Sequence, residues 1–407
     1  MKKLICVTDN YPDGQKICAA RVVYEKAIDP LKIEADTFAV EGRSITGFSV
    51  CGDTVILDLD SRDAEAGLIP RPQHEPIKPG EKIPLSPPVN EAPAIRKPVE
   101  VKLCQRGDIY APDGTVFPGM DDFIVSRESI EPVVGDFTQH EFNGIGYNLF
   151  TPENPDGKKL PLVVFLHDAF PCGDDTKLTL SQGSGAVTWA DAAWQKKHPC
   201  YVLAPQIRRG IRLTNDRFEA DPLIFTLKEL IDFIADNESI DKDRIYCTGQ
   251  SMGCEAFCEL NILFPEYFAA SMLVAGQWDP VRMGEKCSKC KFWILVSNHD
   301  EKAFPGMNAV TQALEANGAR VGRYCWNGKS SPREVGEYVR EALRDDVNVR
   351  YTVFQGSSVV PEGQEDNGGS NHVNTWPIAY GIDGVKEWLF SAVRVHSDDP
   401  KEEIEEK

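Results

Sequence analysis

The sequence predicts an α/β protein of two units: a mostly parallel sheet with helices on both faces, preceded by a small all-β sandwich. Three observations predict it. Residues 1–130 run in short segments of period two, residues 131–396 alternate continuous apolar runs with stretches of helical spacing, and one apolar run ends in Gly249-Gln250-Ser251-Met252-Gly253, a sharp strand-to-helix turn. The 407 residues are ample for both units and for one large buried core.

In the first unit the side chains take alternate faces. Val55, Leu57 and Leu59 face inward and Asp58 and Asp60 outward, and Val99-Glu100-Val101-Lys102-Leu103 repeats the alternation. Gly42, Gly52-Asp53 and Asp113-Gly114 supply the turns of an antiparallel sandwich. Residues 70–98 hold nine prolines, which fix φ and remove amide donors, so this stretch predicts an extended solvated loop.

In the second unit the runs at 162–166, 201–204, 245–248, 271–275 and 292–296 are continuously apolar, as strands buried on both faces require. Leu227, Leu230, Ile231 and Ile234 place a helix before the Ile245 run, and Val385, Trp388 and Leu389 another near the C-terminus. The charged tail 397–407 has little apolar content and predicts a frayed end.

The composition, 42% hydrophobic and 26% charged, is that of a globular chain. A formal net charge of −19 repels phosphate backbones and anionic lipid, which sets nucleic acid and membranes aside as partners. No run approaches the ~18 apolar residues of a membrane span. The basic start Met1-Lys2-Lys3 leads into an apolar run too short for a secretory signal. Twelve cysteines without an export signal predict reduced thiols filling a core in the cytoplasm.

The chemistry centres on Ser251. The sharp turn holds its hydroxyl out at the C-terminal edge of the sheet, and the flanking glycines let strand and helix approach. A serine hydroxyl attacks only when a base takes its proton and a carboxylate orients that base. His372, on a polar loop before the last helix, is the candidate base; His74, His140, His198 and His396 read as solvated. The acid follows the strand ending at Val296, where Asp300 and Glu301 are adjacent. Neighbouring side chains point apart, so one serves, and Asp300 is chosen over Glu301 because the shorter side chain at a strand end is the commoner orienter.

An oxyanion hole needs two amide donors aimed where negative charge develops. Met252 N–H, at the start of the turn's helix, is one, and the second is assigned to Asp168 or Ala169 N–H in the loop after Leu166. His167 braces that loop. Trp278, Trp376 and Gln250 are the candidate substrate-binding residues, with plain packing the alternative for either tryptophan. Residues 277–290 are too few for a helical lid. Cys287-Ser288-Lys289-Cys290 has metal spacing without a second pair, Cys254 and Cys258 read as packing, and no phosphate-cradling glycine loop is present, so neither metal nor organic cofactor is expected.

With these residues in place the chain resembles the bacterial EstA-type esterases, which join an N-terminal immunoglobulin-like domain to an α/β-hydrolase domain. Over its catalytic part it is similar to the polyhydroxybutyrate-depolymerase-like esterases. The resemblance rests on Gly249 to Gly253, on Val202-Leu203-Ala204-Pro205-Gln206, on Asp300 before Lys302-Ala303-Phe304-Pro305, and on Asn371-His372 followed by Thr375-Trp376. It implies a serine carboxylesterase with Ser251, Asp300 and His372 as nucleophile, orienting acid and base, acting on small-molecule esters. Small or aromatic acyl groups are the candidates, the aromatic ones because Trp278 and Trp376 flank the expected site. The resemblance also implies an N-terminal domain that helps assemble homo-oligomers and can shade the active site. Asp168 departs from the pattern, standing where many hydrolases place glycine, and the extra segment 326–346, with Trp326 and a helix from Pro332, is a candidate border of the pocket. The alternatives are a serine peptidase or amidase on the same triad, and a non-catalytic binding protein on a hydrolase fold.

Overall fold

The computed structural model describes residues 1–34, 36–70, 94–154 and 156–394. Most of the proline-rich stretch, the charged tail, His74 and His396 lie outside the described residues.

The N-terminal unit is built on a hairpin, Lys3–Tyr11 with Gly14–Val23, paired antiparallel from Lys3↔Val23 to Tyr11↔Gly14. It sits within a five-stranded sheet whose other strands are Ser129–Ile130 beside the first, and Thr54–Leu59 then Ile45–Cys51 beside the second. A three-stranded sheet of Phe38–Val40, Val101–Gln105 and Ile124–Ser126 contributes Phe38, Val101 and Leu103 to the same core as Val22, Val55 and Leu57. Val55, Leu57 and Leu59 are buried and Asp58 is exposed, because successive residues of a strand point to opposite faces.

The second unit carries a nine-stranded sheet. Its spatial order is Thr138–Phe142, Ile145–Phe150, Tyr201–Gln206, Leu160–Leu166, Ile240–Gln250, Ala270–Val274, Phe292–Ser297, Val349–Phe354 and Val321–Trp326. The first two strands pair antiparallel, as do the second and third, and all later pairings are parallel. The central runs are apolar throughout because each face meets a helical layer. One layer holds helices Leu223–Asn237, Met252–Leu263, Pro280–Cys287 and Ala303–Ala316, and the other Ala192–Lys197, Pro332–Ala342, Gly368–Tyr380 and Asp383–Ser391. This is the α/β-hydrolase architecture behind an all-β unit. The loops after Leu166, Gln250, Ser297 and Phe354 all leave C-terminal ends of parallel strands, so they meet at one rim.

Three local expectations take definite form. Helix Pro332–Ala342 starts at a Ser331–Glu334 capping box, and Tyr338 stacks on Trp326, so segment 326–346 covers the outermost strand of the sheet. The span 277–290 holds the short helix Pro280–Cys287, capped by Asp279 and packed on helix Ala303–Ala316. The cysteines are free and mostly core, including Cys254, Cys258, Cys287 and Cys290, but Cys51 and Cys325 are exposed and Cys18 and Cys172 only half-buried. Cys51 ends an edge strand and Cys325 lies on the outermost strand, where one face has no layer to enter.

Candidate active site

Strand Ile240–Gln250 runs into helix Met252–Leu263 through Ser251 alone, whose backbone sits at φ 51°, ψ −119°. A side chain is strained there, and the surroundings hold it. Ser251 N–H donates to Val274 O at 3.0 Å. A Cβ on Gly249 would lie 2.5 Å from the Gly253 carbonyl carbon, and one on Gly253 only 2.2 Å from Leu166 O. The turn therefore exists only with glycine at both places. Gly253→Ala should lower unfolding stability by about 3 kcal/mol or more, since overpacking against backbone cannot be relieved by a rotamer. Urea denaturation measures it, and a loss under 1 kcal/mol would contradict the close approach.

His372 Nε2 stands 2.9 Å from Ser251 Oγ and its Nδ1 2.5 Å from Asp300 Oδ2. Asp300 is 3% exposed, and its other oxygen accepts the N–H groups of Ala303 and Lys302 at 2.9 and 3.1 Å. Burial, the largest single influence, pushes this carboxyl up, but His372 and the two amides outweigh it and hold it below the usual carboxylate range. Burial likewise pulls His372 down, and the Asp300 charge and hydrogen bond overcome it, leaving the imidazole above its ordinary value. Glu301 is exposed and its side chain packs at Gly368. Of the two adjacent carboxylates, Asp300 is the one that reaches the imidazole.

The loop expected around His372 is the start of a helix, Gly368–Tyr380. Asn367 caps it in a reciprocal pair with Ser370, and residues of this kind serve loops and helix N-termini alike. Asn371 ties the helix to the acid strand by accepting from Ser297 Oγ at 2.8 Å. Trp376, one turn on, sets its ring edge-on to the imidazole at 5.4 Å between centroids and 76° between planes.

Met252 is the first residue of its helix, so its N–H has no intrahelical acceptor. The Leu166–His167 backbone lies against this helix end, at the place a Cβ on Gly253 would occupy. His167 is fully buried. Its Nε2 accepts Ile207 N–H at 2.9 Å, so the proton resides on Nδ1, which donates to Asp168 O at 2.6 Å, and burial holds the ring neutral. Asp168 turns its carboxylate inward, accepting Phe170 N–H and Gln250 Nε2, each at 2.9 Å. Ala169 follows it, half-buried.

Two substrate-binding expectations are corrected. Gln250 is 4% exposed and its amide is committed to Asp168. Trp278 is fully buried, donating Nε1–H to Glu259 at 2.9 Å and meeting Phe218 edge-on, so it is core. The chain turns inward after the strand end, and Gln277 is the residue that reaches sideways, donating to Asp216 Oδ1 at 2.9 Å. Lys302 pairs with the other oxygen of Asp216 at 2.9 Å, latching the 207–222 segment to the acid loop. A cavity of about 490 Å³ opens beside that loop, bordered by Asn298, His299, Asp300, Phe304, Asp366 and Asn367.

Sequence reasoning missed Glu255, one turn along the helix from Ser251. Its carboxyl is buried, accepts from Thr214 Oγ1 at 2.7 Å, and is pushed up to about 7, chiefly by burial, with Asp216 adding to it. The ordinary value is 4.5, so the folded state keeps a proton that the unfolded chain has lost between pH 4.5 and 7. This contribution to stability is complete below 4.5 and is lost as pH rises through about 7. Glu255→Gln removes the titration and keeps a hydrogen-bonding group. The variant's Tm should gain on the wild type's between pH 5 and pH 8, whereas parallel Tm curves would contradict a buried, titrating carboxyl.

A sheet with parallel strands feeding one rim, a serine at a strained strand-to-helix turn, a carboxylate after a later strand and an imidazole after the last one are the arrangement of the α/β-hydrolase fold. Residues 3–118 match the family model of the esterase Ig-like N-terminal domain. The whole chain is similar in fold to a solved structure described as a thermostable esterase, with 24% identity, a TM-score of 0.76, and coverage of 97% of this chain and 100% of that one. A feruloyl esterase module from Clostridium thermocellum, solved with sinapinate, matches 61% of this chain and 88% of its own at 13% identity and a TM-score of 0.41. No curated protein matches the sequence. The resemblance to EstA-type esterases thus holds in the N-terminal unit and in the overall fold.

Proposed function

We propose that the protein is a serine carboxylesterase. The observation that carries this reading is the continuous line from Ser251 Oγ through His372 to Asp300. In this reading Ser251 Oγ attacks the ester carbonyl while His372 Nε2 takes its proton, and the tetrahedral oxyanion forms against Met252 N–H and the N–H of Asp168 or Ala169. The C–O bond to the alcohol breaks as His372 returns the proton to the leaving oxygen. Water then attacks the acyl-enzyme, again giving its proton to His372, and the acid leaves as Ser251 recovers its own. Asp300 stays ionised throughout, holding the tautomer with the Nδ1 proton and stabilising the imidazolium. Trp376 borders the base and is the remaining aromatic candidate for an acyl or alcohol contact. The reading needs no metal or organic cofactor.

Ester hydrolysis is favoured over amide hydrolysis by the N-terminal family match alone. Rates on p-nitrophenyl acetate, feruloyl esters and aminoacyl-nitroanilides test this: esters should turn over, and turnover of the nitroanilides alone would make the protein an amidase. Among the described residues no helix is long and apolar enough to cross a membrane. A cytoplasmic setting fits the free thiols, two of them exposed, which a reducing compartment preserves. Homo-oligomers built through the N-terminal unit follow from the resemblance, and sedimentation of the intact chain tests them.

A further inference from the structure

The first hairpin of the N-terminal unit reaches the second unit through one buried polar side chain. Gln15 is 2% exposed and uses its whole amide: Nε2 donates to Thr8 Oγ1 at 2.9 Å and Glu131 Oε2 at 3.0 Å, while Oε1 accepts from Ser181 Oγ at 2.7 Å and Arg96 at 3.0 Å. Arg96 pairs with Glu131 and donates from Nε to Ser181 Oγ at 2.9 Å. Ser181 is thereby fixed from two sides. The backbones close in as well, because a Cβ on Gly14 would stand 3.1 Å from Ser181 O and one on Gly183 3.0 Å from Pro12 O. Both glycines have positive φ, so the contact is built for residues without side chains.

Between these two contacts lies Gln182, and it points toward the nucleophile turn. Gln250 Nε2 lies 3.5 Å from Gln182 Oε1 and 2.9 Å from Asp168 Oδ2, and Asp168 holds Phe170 N–H. The same short helix, Leu178–Ser181, has a second tie to that loop. Thr179 N–H donates to Gln206 Oε1 at 2.9 Å, and Gln206 Nε2 donates to Pro171 O at 2.6 Å.

We propose that Gln15 is a positioning residue for the 168–171 loop, acting through Ser181 and Gln182 on Gln250 and so on the amides that would receive the oxyanion. The inference rests on the ester-hydrolase reading. It makes the N-terminal hairpin a support for transition-state geometry, since small displacements of an oxyanion donor weaken the transition state more than the ground state. Removing the Gln15 amide should therefore lower kcat and leave KM nearly unchanged.

The test uses the full chain with p-nitrophenyl acetate, each enzyme's active sites being counted by end-point labelling with a fluorophosphonate. Gln15→Ala should lose roughly ten- to a hundredfold in kcat per labelled site with KM little altered. Ser181→Ala removes one hydroxyl from the other end of the same bond and should behave alike, which keeps the test open if Gln15→Ala fails to fold. The double variant Gln15→Ala/Gln250→Ala should be little worse than Gln250→Ala, because both act along one line. A fall in Tm with kcat per site within about twofold of wild type would overturn the proposal, leaving Gln15 a domain fastener. Full additivity with Gln250→Ala would overturn it too. Wild-type enzyme that neither turns over the ester nor labels would overturn the ester-hydrolase reading first, and this inference with it.

Discussion

Ser251→Ala should lose roughly a millionfold in kcat on p-nitrophenyl acetate while the chain stays folded. In the proposed mechanism the loss is that large because the serine oxygen forms the bond that defines the pathway, and nothing else at the turn can replace it. His372→Ala should cost about as much, and the double variant little more than either, because nucleophile and base act as one unit and removing one idles the other. Folding should survive both changes. Ser251 sits at a strained φ of 51°, so alanine there keeps the strain and loses only a hydroxyl. Comparing kcat for the three variants by steady-state kinetics, with circular dichroism to show intact structure, measures this. A Ser251→Ala enzyme within tenfold of wild type would remove the serine from the mechanism.

Asp300→Asn should lose about ten-thousandfold in kcat with the fold intact. The amide fits the space, but its NH₂ can face Nδ1 of His372 as a donor, which favours the tautomer with its proton on Nε2. That tautomer cannot accept the serine proton. The imidazolium that forms during attack also loses its counter-charge. A second consequence has a definite sign. The Asp300 charge and hydrogen bond are what lift His372 above its ordinary value against the pull of burial, so the variant's His372 should titrate at lower pH. The residual activity should then persist to lower pH than the wild type's does. Glu301→Gln, one residue away and exposed, should leave both quantities nearly unchanged. Equal losses from the two substitutions would contradict the assignment of Asp300.

Much of this was legible in the sequence where short-range rules act. The nucleophile turn could be read because its glycines meet a steric demand made within five residues, and the apolar runs at 162–166 and 292–296 because strands buried on both faces leave no polar positions. The acid loop stood out by its place after a strand end, and Asp300 was preferred to Glu301 there for its shorter side chain. Contacts set by distant chain were not legible. Glu255 finds Thr214 across 41 positions, and nothing in Glu255's own helix marks it as a buried carboxyl. Trp278 could face a pocket or the core, and Glu259 beneath it decides for the core. Residues 366–371 read as a loop because Asp, Asn, Gly and Ser suit a turn and a capped helix start equally. The commitment of Gln250 was not legible because Asp168, which takes its amide, lies 82 positions away in the chain.

The most direct test is to treat the protein with a fluorophosphonate and locate the adduct by peptide mass spectrometry. A primed nucleophile predicts one phosphonyl group per chain, on Ser251, formed fast and abolished in His372→Ala. Modification spread over several serines, or none faster than free serine reacts, would contradict the claim that Ser251, His372 and Asp300 work together.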